Sequence, residues 1–508
     1  MKVLARFRLG AAGALVVCGC HAIFSFGKGP GDGSAPDAGQ DDRTGGMDTA
    51  PDSRPAVDTR FDLASGPELV PAWSVHFTGV NADAVTGVAV DSAGSLYVTG
   101  YFMGQLAIGG TPCCSTATSM DLFLAKLSSG GVPLWVEHPG DTGVSMGARV
   151  LVDRAGDLRL VGNFNQSITL GGMKLTEYNP TVPQRDSFLA TYRLAQPPQI
   201  VSAIPFAGPG HDLVDRIAQD AKGNLYLAGS FVQSLAFAGQ TLTAPAGSTE
   251  VALIGLDENG AYRWSKAFGT PGMDAGTSLA VDGAGNVYLA GKVYASVPTL
   301  DFGGGPRPLI GEWDGFVASF DPSGMHRWSR VLGGPDSDEV GAVAVDAGGS
   351  VYLTGIAVGP VDFGDGKPQA SQGADLFLVS YASSDGSHLW SRLLGGPQSD
   401  EGVALAPRPD GTLALAGDFA GTIDLGGGPL TASSGDSFVA TFDTATGAHR
   451  WSTSFGGEDD SHVSDLAADA AGNLYLAGHF EGALKLGGAS LVCPDASSDG
   501  FVLKLQPK

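Results

Sequence analysis

One eleven-residue phrase recurs seven times along this 508-residue chain. Val281–Gly291 reads VDGAGNVYLAG, and Ala468–Gly478 reads ADAAGNLYLAG. The others are VDSAGSLYVTG ending at Gly100, VDRAGDLRLVG at Gly162, QDAKGNLYLAG at Gly229, VDAGGSVYLTG at Gly355 and PRPDGTLALAG at Gly417. The spacing is about 62 residues, so one supersecondary unit is copied along the chain, each copy burying its apolar face against the next. The chain then needs no single core larger than the roughly 250–300 residues at which compact cores stop growing.

The phrase itself reads as a β-hairpin. Leu279 and Val281 alternate with small residues in a first strand, and NVYLAG is a β-branched and aromatic second strand. Between them Asp282 can accept hydrogen bonds from its own turn, and Gly285 can take the left-handed conformation that closes it. Gly94, Gly156, Gly223, Gly349, Gly411 and Gly472 hold the same place. In the sixth copy APRPDG puts prolines around a displaced Asp410, which predicts a different turn.

A third strand follows each hairpin and opens on an acid: Asp121, Asp186, Glu250, Asp314, Asp375, Asp436 and Asp499. A fourth strand carries Trp-Ser at Trp264, Trp328, Trp390 and Trp451, with looser forms at Trp73, Trp135 and Ile200. The first Trp strand precedes every hairpin, and the last unit ends at FVLKLQPK with none after it. The strands match in number only if the N-terminal strand completes the C-terminal unit. The predicted fold is therefore all-β, a seven-bladed β-propeller of four-stranded antiparallel blades spanning 72–508, closed by the N-terminal strand in the last blade. Seventy-seven Gly, 30 Pro and only 16% charged residues suit many short strands and tight turns.

The segment before the repeats predicts an address. MKVLARFRLGAAGALVVCGC places Lys2, Arg6 and Arg8 before an apolar run too short to span a bilayer, the pattern of a secretory signal. Small Gly19 precedes Cys20, whereas bulky Val17 precedes Cys18. Residues 1–19 are thus expected to be a lipoprotein signal peptide, Cys20 the lipidated residue, and 20–71 a tether rich in Gly, Pro, Asp and Ser that cannot recover its ordering entropy by burial. That implies an extracytoplasmic protein held on a membrane through its lipid, in the outer membrane or at the cell surface. A net charge of −24 with no basic cluster argues against a nucleic-acid partner.

The VAVDxxGN(L/V)YLAG hairpin resembles the SBBP and NHL-type propeller repeats of bacterial surface proteins, from Trp73 to the end of the chain. That resemblance implies a binding or scaffold role with a protein or polysaccharide partner. FDTATGAHRWS at Phe442–Ser452, with LDENGAYRWS and FDPSGMHRWS, is similar to the tryptophan-docking strand pair of quinoprotein-type propellers. This keeps open an alternative, an extracytoplasmic enzyme (quinone-dependent dehydrogenase, lyase or hydrolase), although no calcium-ligand and Asp-base arrangement is visible.

The candidate binding face collects the loops that lead into each inner strand, with Asp83, Asp212, Asp274, Asp338, Asp400 and Asp460, and Ser145 in place of Asp in blade two. The plain expectation is that these carboxylates lock their own loops. The sharper one is an acidic rim for a cation such as calcium, although no Asp-x-Asp-x-Asp-Gly loop is present and no metal is assigned. GVSMG around Ser145 matches a hydrolase nucleophile pattern without its strand–turn–helix context. His326 and His449 fall in turns and are expected to be solvated. Trp313, outside the Trp-strand series, is expected in a loop of the binding face, where it covers a blade edge; the alternative is an aromatic anchor for a partner or glycan. Cys113, Cys114 and Cys493 occupy matching places in the first and last blades. A staple from Cys493 to Cys113 or Cys114 is expected across the closure, a vicinal Cys113–Cys114 bridge being the alternative.

Overall fold

The computed structural model describes residues 68–508, apart from 142, 180–183, 196–197, 487–488 and 495–496. The signal at 1–19, the lipidation site Cys20 and the tether to residue 67 lie outside the described residues.

Each repeat folds into four antiparallel strands in chain order. In blade 4 these are Asp274–Val281, Val287–Tyr294, Trp313–Phe320 and His326–Leu332. Blade 7 takes Ser461–Ala468, Leu474–Glu481 and Ser498–Pro507 from one end of the chain and Leu69–Gly79 from the other. The closing strand begins at Leu69, ahead of Ala72, with Leu69 opposite Pro507. Its far end also pairs with the second strand of blade 1, Phe77 opposite Ile108, so blades 7 and 1 share one eight-stranded sheet. The Lys508 amide donates to the Glu68 carbonyl at 2.9 Å beside that seam.

The hairpin turn is held by its aspartate. Asp282 Oδ1 accepts the Ala284 and Asn286 amides, both at 2.9 Å, and Oδ2 accepts the Asn286 amide group and the Tyr288 hydroxyl. Gly285 has φ +88°, a conformation that favours glycine. The sixth turn keeps this backbone pattern, its Gly411 at φ +79°. What differs is chemistry: Arg408 stands at the aspartate position, pairs with Asp410 at 2.9 Å and donates to the Gly472 carbonyl of blade 7.

Among the described residues the apolar interior divides into seven clusters, each lying between two neighbouring blades. Tryptophan ties the outer edges together. Trp264 of blade 3 stacks on Gly324 in a blade 4 turn and donates Nε1–H to the Pro322 carbonyl at 3.1 Å. Trp328, Trp390 and Trp73 make the same bond to Ser383, Thr444 and Ser129 of the following blade. No helix among the described residues is long and apolar enough to cross a membrane.

Candidate functional site

One face of the ring carries two sets of loops that hydrogen-bond to each other. The Asp338 amide, leading into an inner strand, donates to the Trp313 carbonyl at 2.9 Å, and the Thr249 amide donates to the Gly272 carbonyl. Asp83, Asp212, Asp274, Asp338 and Asp400 stand in these loops, but they do not form a rim. All are at most 2% exposed. Each holds its loop instead: Asp338 accepts the Val358 amide at 2.9 Å and the Gly334 amide at 2.7 Å, and Asp274 takes the Tyr294 and Thr270 amides.

The acid opening the third strand lies against several of these carboxylates, with a glycine wedged between. A Cβ at Gly269 would fall 2.5 Å from Asp274 Oδ2 and 2.9 Å from the Glu250 carboxyl carbon; Gly333 is similarly placed against Asp314 and Asp338. Burial pushes Asp212 up to about 8, the Val232 amide pulling it back and Asp186 adding to the rise. Asp400 is pushed up to about 7, again chiefly by burial, with Asp375 contributing. Asp186, Asp274 and Asp338 rise to about 6 for the same first reason.

Asp460 is not a member of this series. It is exposed, and it accepts from the Ser434 hydroxyl at 2.6 Å and the Gly435 amide. The buried place in blade 7 belongs to Ser461, whose hydroxyl accepts the Ser437 amide at 3.0 Å. Ser145 does the same for the Leu122 amide at 3.1 Å, so it substitutes for a frame aspartate. Among the described residues no group of three or more His, Cys, Asp or Glu is placed to hold a metal ion.

The variable chemistry sits one residue further along each strand. After the buried Asp or Ser come Ala84, Met146, Leu213, Ala275, Glu339, Glu401 and His462. After the glycine that ends the phrase come Tyr101, Asn163, Ser230, Lys292, Ile356, Asp418 and His479. The two columns pair across the first and second strands of each blade. Blades 1–3 are neutral here and blades 4–7 carry the ionisable groups. Lys292 Nζ reaches Glu339 Oε2 at 2.8 Å, and Asp418 Oδ2 meets His462 Nδ1 at 3.2 Å. His462 lies 5.1 Å from the His479 ring, and burial holds His479 down at about 4.

Trp313 begins a strand rather than sitting in a loop. It is half-buried, 5.3 Å from Tyr294 in an edge-on pair, with Lys292 Nζ 5.2 Å above its ring. Two exposed side chains stand in the loops of this blade, Met273 at 65% and Ile310 at 62% exposure; Met273 follows Gly272, which packs on Tyr294, and the Ile310 amide donates to Asp314, the residue after Trp313. Extending the alignment of the seven phrases by one column finds Lys292, Asp418 and His479. No periodic signal marks Met273 or Ile310.

The expected Cys493 staple does not form. Cys493 donates to the Ser497 carbonyl at 3.3 Å within the cluster between blades 6 and 7, while Cys113 and Cys114 face each other at 3.0 Å, all three as thiols. His326 and His449 are only partly exposed. Their rings lie under Gly304 and Gly427 of the same blade, and burial holds both imidazoles below the usual range.

No family model matches the chain. A stretch of 197 residues, 37% of the chain, is 30% identical to 20% of the regulatory protein FlaEY of Caulobacter vibrioides. Another 113 residues, 21% of the chain, are 27% identical to 8% of an uncharacterized WD repeat-containing protein, L264, of Acanthamoeba polyphaga mimivirus. The matched part spans a fifth or less of either relative. Among solved structures, Sqt1 from Chaetomium thermophilum aligns with 84% of this chain and 87% of its own at 14% identity and a TM-score of 0.43. Quinohemoprotein alcohol dehydrogenase from Comamonas testosteroni aligns over 88% and 77% at 11% identity and 0.42, and BamB from Moraxella catarrhalis over 86% and 99% at 12% and 0.35. The fold rests on the strand order and the closing pair. It is a closed β-propeller.

Proposed function

We propose that this protein is a membrane-tethered lipoprotein of the SBBP/NHL-like kind that presents its propeller, outside the cytoplasm, as a binding module for a protein or surface polymer. The observation that carries the binding role is the edge of blade 4. Met273 and Ile310 are exposed in the loops of that edge. Met273 is next in the chain to the Gly272 that packs on Tyr294, and Ile310 is bonded through its amide to Asp314, the residue after Trp313. Lys292 lies over the Trp313 ring and pairs with Glu339. In a frame repeated seven times, a feature present in one blade is not required by the frame. Exposed apolar side chains around a half-buried aromatic anchor are the composition of a binding hot spot. The ring carboxylates, in contrast, are buried and accept backbone amides of their own loops, so they offer a ligand little.

The address is supported by the basic, apolar and Gly-Cys order of the first twenty residues. Tagged full-length protein is expected to capture its partner from a cell-envelope extract. Trp313→Ala with Met273→Ser should weaken capture about 30-fold, the scale of a hot spot worth about 2 kcal/mol, with unchanged circular dichroism. Equal capture by the variant removes blade 4 as the site. Metabolic acyl labelling should vanish in Cys20→Ala; labelling that persists there and is lost in Cys18→Ala moves the anchor.

A further inference from the structure

We propose that Cys113 and Cys114 form a thiol–disulfide exchange site, Cys113 attacking an external disulfide and Cys114 resolving the product. Successive residues on a regular strand point to opposite faces, which keeps neighbouring thiols apart. The third strand of blade 1, Thr111–Leu127, departs from that rule at this place. Leu106 pairs with Cys114 and Ala107 with Pro112, so Cys113 is the extra residue of a bulge. The bulge turns the two side chains together, and their sulfurs lie 3.0 Å apart.

The two thiols are not equivalent. Cys113 is exposed, whereas Cys114 is buried in the cluster that seals the ring, with Phe77, Leu106 and Ile108. The hydrogen bond from Cys114 draws the Cys113 thiol below its ordinary range, against the opposing effect of burial. Cys114, which donates that bond and is also desolvated, is pushed up. An accessible, more acidic thiol beside a sheltered, less acidic one divides the work of attack and resolution.

The chemistry balances with a disulfide RSSR as the named oxidant. The Cys113 thiolate attacks one sulfur, the S–S bond breaks, and RS⁻ leaves with a mixed disulfide on Cys113. Cys114 then gives its proton to water, and its thiolate displaces the second RS⁻ as the Cys113–Cys114 bond forms. Two protein thiols lose two protons and two electrons, and RSSR becomes two RSH. The ligand class is a small or solvent-exposed disulfide.

The test uses the full chain with Cys18, Cys20 and Cys493 replaced by Ser, treated with 5,5′-dithiobis(2-nitrobenzoate). Two thionitrobenzoates per protein should be released, leaving no adduct and a mass two hydrogens below the dithiol form. With Cys114→Ser added, one should be released and one retained as an adduct. With Cys113→Ser instead, reaction should be at least about tenfold slower, as expected for a buried, less acidic thiol. A mixed disulfide that persists when both cysteines are present overturns the proposal, as does a Cys113→Ser variant that reacts as fast as Cys114→Ser.

Discussion

Asp212 has no solvent exposure and stands beside a second buried acid, Asp186. An unfolded aspartate titrates near 3.8, but burial, with Asp186 adding to it, raises folded Asp212 to about 8. Asp400 at about 7 and Asp186, Asp274 and Asp338 at about 6 behave alike. Between these limits the folded state holds more protons than the unfolded one, so the stability these sites contribute is complete below about pH 4 and is lost as pH rises through the folded values. The hairpin aspartates act oppositely. Burial alone would raise Asp282, but its amide, Asn286 and Tyr288 bonds outweigh that and hold it below the usual range, so its contribution is lost on acidification. Urea midpoints should therefore peak in mildly acidic buffer and decline toward pH 8.5. Asp212→Asn keeps an acceptor for the Val232 amide and removes the charge. At pH 8.5 it should exceed the parent by about 1–3 kcal/mol, the cost of a buried group left unsatisfied, with little difference at pH 5. A variant weaker than the parent at pH 8.5 would contradict this account. The recurrence of these aspartates was legible in the chain, but their burial was not, because it depends on a glycine and a second acid brought in from separate strands.

At the level of the element, the Trp strand works only with the turn of the next blade. A Cβ at Gly324 would sit 2.7 Å from the Trp264 ring, and φ there is +83°. Trp264→Ala should cost about 3 kcal/mol, the low end for removing a large aromatic from a packed site. Gly324→Ala should cost a similar amount by expelling the same ring. The two losses share one contact, so the double variant should be less destabilised than the sum of the singles; strict additivity in urea denaturation would show that Gly324 matters only for its backbone. Trp451 differs, because blade 7 draws its third and fourth strands from opposite chain ends and so has no connecting turn there. Trp451→Ala should cost less than Trp328→Ala or Trp390→Ala, whose side chains are buried. Hairpins, third strands and Trp strands could all be read from periodicity and turn residues. The sixth turn misled because prolines in the text suggested a new backbone path, whereas Gly411 preserves the old one and Arg408 replaces only the side-chain partner. The cysteine staple misled because matching places in two blades do not bring side chains together across a seam made by backbone pairing.

Across the whole molecule, the apolar interior is distributed between blades rather than gathered at one centre, so each blade depends on its neighbours and the ring depends on its closing strand. Val75 and Phe77 of that strand pack in the cluster between blades 7 and 1, and Leu69 packs in the cluster between blades 6 and 7. Removing it should therefore damage two interfaces and bare the edge of Ser498–Pro507. A chain beginning at Asn81 is expected to leave the monomer pool, because an unpaired strand edge templates pairing with another chain. Light scattering after gel filtration should show dimers or larger species. A synthetic peptide covering Leu69–Gly79, added during refolding, should return the monomer and much of the lost urea resistance. If the truncated chain stays monomeric with an unchanged midpoint, the ring is held by its inter-blade cores alone. The same experiment at pH 5 and pH 8.5 separates closure from the ring carboxylates: loss of the strand should lower stability at both values, while the protonation effect keeps its slope in the intact blades 3 to 6.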